Sequence, residues 1–479
     1  MSGSSPDLLP RLPSVSELLE KPQVKMLLRQ FNQTAVAQGV HSYLLKLGEE
    51  LQQRFGESSF PTPGELAERA ARYVIGLNSR VGCRSVINAT GDLFGHDWSS
   101  IPLSDKAQQA ILEAAGSYTY RGSGVADEYA SVSKLLCRST TAEAATVLHS
   151  YEGALWLCLS SLASGREVLV ARGQVDQSGG VKLADLVASS GAILREVGAA
   201  NAVGDGDYQQ AVSAATAVLF HARSDTYQMI GQVESACREQ LVMLCRDHEV
   251  IFVEALDGTP LSGDSPAALA DRGGLDDRAS AKASLTSGAD LALVRGDGLV
   301  GGPPCGIILG RREWVECITN HPLHAAWRID PLRVAALGET LRGTKNLTER
   351  VMSDLPVHQL VNTPLENLRY RSERLAVQLA ASPVIDSANP VEIPSSDLNG
   401  RSEFASWGVL IGPRNHDLAV VLARLTSANP PIVGRQTEGA LLLDLRTVHP
   451  KHDQHLVDVL LDEVSPVSDT ATGTAHEPH

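Results

Sequence analysis

Short runs rich in valine and isoleucine alternate with stretches of helical period from about residue 140 to residue 310, and this alternation restricts the fold most. The runs are EVLVAR (167–172), AILREV (192–197), AVLFHA (217–222), VIFVEA (250–255), LALVRG (291–296) and GIILG (306–310). Between several of them lie LADLVASSG, YQQAVSAAT and QLVMLCRDH. Repeated strand–helix alternation predicts an α/β fold, a mainly parallel sheet wrapped by helices on both faces. Such a sheet holds its ligand in loops at the carboxyl ends of its strands.

The flanks read differently. Residues 1–12 are expected to be disordered and 13–80 to form a helical unit. Ser14 and Glu17 have capping-box spacing. Leu18, Leu19, Leu27, Leu28, Leu44, Leu45 and Leu51 follow at helical spacing, and the unit ends near the proline-rich break at Phe60–Pro63. Residues 81–330 are assigned to the large domain. HPLHAAWRIDPLRVAALGETL (321–341) reads as a long helical segment. Beyond it, EFASWGVLIG, PPIVGRQTEGALLLDLRTV and two helical stretches predict a small α+β domain over 331–464, and the polar tail 465–479 reads as disordered.

Composition removes several functions. Aromatic residues are 4% of the chain, too few for a single-strand stacking platform. The net charge of −15 opposes a general polyanion binder. Residues 1–80 are the exception, with nine Lys/Arg against eight Asp/Glu, so RNA, if bound, is expected there. The seven cysteines are scattered and include no CxxC pair, so neither a disulfide framework nor a metal site is indicated. No apolar run reaches 18 residues and no basic-then-apolar leader opens the chain, which predicts a cytoplasmic protein with no membrane partner.

The stretch GDGLVGGPPCG (296–306) ends the LALV run with a glycine-rich curve suited to cradling a ligand. Asp297 and Cys305 are its only side chains with any chemistry. Together with LPSVSELLEKPQV, RSVINATGDL (84–93), EVLVARGQVDQSGG (167–180), ILREVGAANAVGDGDY (193–208), HPLHAAWRIDPLRVAALGETLR and PPIVGRQTEGALLLDLR, this loop makes the chain resemble bacterial selenocysteine synthase, L-seryl-tRNA(Sec) selenium transferase, over roughly residues 12–463. The resemblance implies a fold-type-I pyridoxal-phosphate transferase fold, a tRNA-binding unit at residues 13–80, a small C-terminal domain and a ring-like homo-oligomer.

Against that family's residues the cofactor contacts are depleted. Family members read roughly S-G-D-K-L-L-G-G-P, with the lysine forming the Schiff base; here Arg295 takes the serine position and Gly298 the lysine position. Glycine has no amine, so no internal aldimine is expected. Ala255 stands where the family aspartate holds the pyridine nitrogen, although Asp257 lies two residues on. At the helix start that receives the phosphate, this chain has His149-Ser150-Tyr151-Glu152-Gly153, and the Glu152 carboxylate repels a phosphate. Glu152 and Arg295 are therefore expected to pair across the emptied phosphate position. Tyr227 matches a family tyrosine near the site, and packing explains it equally well. Arg328 matches an arginine near the anionic substrate, with His324 and Ala325 where its family neighbours are basic. Asp297 reads as a turn carboxylate, Cys305 as a packed thiol, and His149, His221 and His324 lack metal spacing. Lys182 and Lys282 are the nearest alternatives for a Schiff base.

These losses favour a degenerate paralogue, a pseudoenzyme using no cofactor, that binds or regulates and assembles with itself or an active relative. The alternatives are an active transferase converting seryl-tRNA(Sec) to selenocysteinyl-tRNA(Sec) with selenophosphate, and an enzyme that has reused the vacated pocket.

Overall fold

The structure, a computed structural model, describes residues 13–29, 33–53, 62–78, 85–93, 98, 100–119, 128–178, 180–222, 229, 231–262, 280–344, 354–394 and 404–461. The expected disordered ends, Tyr227 and Cys83 lie outside them. Contacts divide the chain into two units, residues 1–86 with 429–431, and residues 87–428 with 432–479.

The first unit is helical. Helix Val15–Leu19 opens with the capping box read from the sequence: the Glu17 N–H donates to Ser14 Oγ at 3.2 Å, and the Ser14 N–H to Glu17 Oε2 at 2.7 Å. Leu18, Val24, Val36, Val40, Leu66, Ala70 and Val74 form its core, drawn from four helices. Leu28 and Leu45, read at helical spacing, face solvent instead.

The second unit holds two main sheets. Its strands are β1 (Ile87–Ala89), β2 (Ala144–Leu148), β3 (Glu167–Ala171), β4 (Gln177–Ser178), β5 (Val181–Lys182), β6 (Ile193–Val197) and β7 (Thr216–Ala222). They continue with β8 (Ile251–Ala255), β9 (Leu291–Arg295), β10 (Gly306–Gly310), β11 (Ile385–Ile393), β12 (Ser406–Pro413), β13 (Ile432–Thr437) and β14 (Ala440–Asp444). The large sheet runs β2-β10-β9-β8-β7-β3-β6, and only β10 is antiparallel to its neighbours. All six apolar runs read from the sequence are strands of it.

Alternation along those strands sorts the core onto two faces. Val168, Val170, Val218 and Val253 pack with Leu155, Leu159 and Val187 of the helices on one face. Leu169, Leu219 and Phe252 pack with Tyr208, Leu241 and Val242 on the other. Each fully buried side chain of this kind contributes about 1.5–3 kcal/mol. Strands covered on both faces read as unbroken apolar runs, which is why the sequence declares them.

The small sheet runs β1-β13-β14-β12-β11. β1 comes from residues read as the start of the large domain, yet it pairs in parallel with β13. Helices Leu365–Leu379, Leu418–Ser427 and Asp453–Leu461 contribute Leu368, Leu375, Val421, Leu425 and Leu456 to its core. The stretch 321–341 is not one helix. A short turn of helix, His324–Trp327, gives way to extended backbone at Arg328, and a new helix starts at Pro331. Pro331 lacks an N–H and steers Asp330 away from helical angles. The break lets Arg328 bridge to Leu148 at the free edge of β2.

Candidate functional site

At the carboxyl end of β2 the chain enters helix Tyr151–Ala163 through Ser150, whose Oγ accepts the Gly153 N–H at 3.0 Å. The Trp327 indole covers this first turn. A Cβ on Gly153 would stand 2.6 Å from one of its ring carbons, and the ring stacks on Trp156 at 5.8 Å. Glu152 lies half-buried in the same turn.

Two loops meet beside it. After β8, Ala255 is buried and the chain turns at Asp257, where φ is 48°. After β9, the glycine loop packs directly on that turn. The Arg295 N–H donates to Asp257 O at 2.7 Å, and the Leu299 N–H to Gly258 O at 2.7 Å. The Asp257 N–H in turn donates to Tyr151 Oη at 3.1 Å. Gly298 is pressed against Gly258: a Cβ there would lie 2.4 Å from Gly258 Cα and 2.5 Å from its carbonyl oxygen. Lys282 and Lys182 are exposed on helix Ala281–Ser287 and in β5.

Arg295 does not pair with Glu152 as expected. Its Nε and Nη2 donate to Asp297 Oδ1 and Oδ2, both at 3.2 Å, and Nη1 lies 3.6 Å from Asp257 Oδ1. Asp297 sits two residues along the same turn and offers both oxygens to the guanidinium fork, so the pairing is local. Burial opposes the Arg295 charge, but Asp297, Asp257 and then Glu152 through space outweigh it and raise its pKa. Asp297 is thus an ion-pair partner of a buried turn. Cys305 is a packed thiol, pushed up by burial and by the Asp297 charge.

Arg328 lies apart from this group. Its guanidinium stands 4.2 Å from the centre of the Tyr129 ring and lines a cavity of about 200 Å³ with Thr146, His324 and Val334. His324 Nε2 is 2.9 Å from Thr146 Oγ1, and burial, then the Arg328 charge, lowers its pKa. His149 meets Arg333, with Nδ1 2.7 Å from Nη1. Among the described residues no group of His, Cys, Asp and Glu has metal-site geometry, and no helix is long and apolar enough to cross a membrane.

Glu254, beside Ala255, is not among the residues expected from the sequence; its signal is a lone charge inside VIFVEA. Its carboxylate is 1% exposed. Arg238 donates to Oε1 from Nε at 2.9 Å and Nη2 at 2.7 Å, and His221 Nδ1 donates to the same oxygen at 3.2 Å. Burial raises its pKa, but the His221 hydrogen bond and charge and the Arg238 charge prevail and hold it at about 2. Because the folded pKa lies below the ordinary 4.5, this group stabilises the fold above pH 4.5 and loses its contribution as pH falls towards 2. Glu254→Gln is expected to lower the melting temperature clearly near neutral pH and to match the wild type at strongly acidic pH. Melting curves across that range check this, and a deficit that stays constant with pH would contradict it.

A parallel sheet with one reversed strand, and loops converging at the ends of β2, β8 and β9, define an α/β protein of the fold-type-I pyridoxal-phosphate class. The structure of a D-glucosaminate-6-phosphate ammonia-lyase shares this fold, with a TM-score of 0.58 at 17% identity over 80% of this chain and 97% of that one. The chain belongs to the SelA family, L-seryl-tRNA selenium transferase, whose family model matches residues 86–449. Among curated relatives, the L-seryl-tRNA(Sec) selenium transferase of Moorella thermoacetica is 33% identical over 476 residues, 95% of this chain and 97% of the relative. That of Hyphomonas neptunium is 32% identical over 460 residues, 92% and 96% of the two chains.

Proposed function

We propose that this protein is a non-catalytic member of the family, a pseudoenzyme that has lost pyridoxal-phosphate chemistry and serves as a binding or regulatory paralogue. One observation carries the reading: at Gly298, which the resemblance places at the family lysine's position, the Gly258 backbone fills the space a side chain needs. Pyridoxal phosphate, the family cofactor, supplies an electron sink when bound through such a lysine. The residues present do not fit it. Ala255 carries no charge for a ring nitrogen, and the first turn of helix Tyr151–Ala163 is capped by Ser150, covered by Trp327 and flanked by the Glu152 carboxylate. Residues 13–80 are proposed to keep contact with tRNA. Assembly with further copies or with an active paralogue in the cytoplasm completes the proposal.

The deciding experiment is an absorbance spectrum of purified protein with added pyridoxal phosphate. No borohydride-reducible aldimine band is expected. Such a band mapped to a lysine of this chain would overturn the reading. It would favour instead the active transferase, which the near full-length similarity to proteins named as such supports.

A further inference from the structure

We propose that the cavity beside β2 is a binding site for a small aliphatic monocarboxylate, gripped by Arg328 at one end and enclosed by apolar side chains at the other. It lies apart from the loops around Gly298, so the proposal goes beyond the non-catalytic reading and does not rest on it. Arg328 carries the argument. Its guanidinium stands 4.2 Å from the centre of the Tyr129 ring, yet among the described residues it meets no carboxylate and donates no hydrogen bond. The acid two residues on, Asp330, is taken by Arg333 at 3.5 Å. A guanidinium has five N–H donors and keeps its charge, so a half-buried one without an acceptor leaves a place for an anion.

Charge and shape narrow the class. His324 Nε2 is 2.9 Å from Thr146 Oγ1, and burial and the Arg328 charge lower the His324 pKa, so this ring is neutral near pH 7. Arg328 is then the single cation among the lining residues. One guanidinium matches one carboxylate, whose two oxygens fit its fork. With His324 Nε2–H donating, the Thr146 hydroxyl keeps its own hydrogen for the same carboxylate. A dianion would leave a charge uncompensated against the apolar wall. That wall is Val132, Val147, Ile329 and Val334, all buried. The cavity measures about 200 Å³. Since a cavity of about 150 Å³ holds benzene, a ligand of about six to eight non-hydrogen atoms fits, which is a carboxylate with a short branched chain.

Isovalerate has this size and is the probe, titrated calorimetrically into the full chain. Binding at about 1 mM or tighter is expected. Isovaleramide has the same shape without the charge, and acetate has the charge without the chain. Each is expected to bind about tenfold more weakly or worse. Arg328→Gln is expected to weaken isovalerate about tenfold or more, and Arg328→Lys to recover part of the loss. Should Arg328→Gln fail to fold, Ala130→Leu tests the cavity from helix Glu128–Thr140, where the added side chain takes the space of the isovalerate chain and is expected to abolish binding. Equal binding of isovalerate and isovaleramide would overturn the carboxylate. Inorganic phosphate binding more tightly than isovalerate would give the cavity to an oxyanion instead. No isovalerate binding, or binding unchanged in both Arg328→Gln and Ala130→Leu, would remove the site.

Discussion

Gly298→Lys is expected to damage the fold rather than restore a cofactor site. The added Cβ would meet three backbone atoms of Gly258 within 2.4–2.7 Å. Those atoms have no rotamer to change. Relief requires the whole turn at Asp257–Gly258 to move, and that turn is tied by the Arg295 and Leu299 amides. Overpacking a well-filled interior costs about 1–3 kcal/mol, and a clash with tethered backbone belongs at or above the top of that range. Gly298→Ala isolates the Cβ from the charge and length of lysine, and it is expected to show most of the same loss in melting temperature. In Gly298→Lys with added pyridoxal phosphate, no reducible band is expected, because Ala255 and Glu152 remain and the side chain lacks a path. Gly298→Ala melting with the wild type would mean that the loops yield freely. The glycine would then be drift at an open position, not a residue the packing demands.

How much of this was legible depends on what each residue advertises. The five inner strands, β3, β7, β8, β9 and β10, were, because burial on both faces forces near-continuous runs of Val, Ile and Leu; β6 was as well, although it is an edge strand with Ile193 exposed. β2 was not: AATVL holds only two large apolar residues beside two alanines and a threonine. β11 was not either, since IDSANPVEI keeps only its first and last residues buried and carries a proline. Gly298 was visible as a letter, but its steric setting was not. Nothing in the sequence brings Gly258 against Gly298, forty residues away. The Glu152–Arg295 expectation failed for a related reason. The choice of partner is settled by a two-residue turn that places Asp297 against the guanidinium. Glu254 is the opposite case, a buried charge whose partners His221 and Arg238 lie 33 and 16 residues away along the chain.

Arg446→Met is expected to be among the most destabilising single changes in the chain, although Arg446 lies outside the loops around Gly298. The residue is 4% exposed and follows β14. Its Nη1 donates to the carbonyls of Leu360, Val361 and Thr363, at 3.3, 3.2 and 2.5 Å, and Nη2 donates to Ala405 O. The first two are end carbonyls of helix Pro356–Val361, with no partner within the helix, although Leu360 O also accepts the Thr363 N–H at 3.3 Å. A cation at that end also suits the helix dipole. Removing the guanidinium strands the carbonyls of Val361, Thr363 and Ala405, each at about 1–3 kcal/mol, and takes away one of the two positive charges near Asp444, Arg435 being the other. The effect should reach the glycine loop. Helix Pro356–Val361 carries His358, whose Nε2–H donates to Leu299 O at 2.8 Å, and Val357, which lies 3.0 Å from where a Cβ on Gly301 would stand. Loosening the helix is therefore expected to raise amide exchange at Leu299 and Gly302 as well as to lower the melting temperature. Arg446→Lys should recover little, because one ammonium does not reach carbonyls at both 360–363 and 405. A melting temperature within about 2 °C of wild type for Arg446→Met, with the loop still protected, would show that water or neighbouring donors replace the guanidinium and that the small sheet does not hold the loop through it.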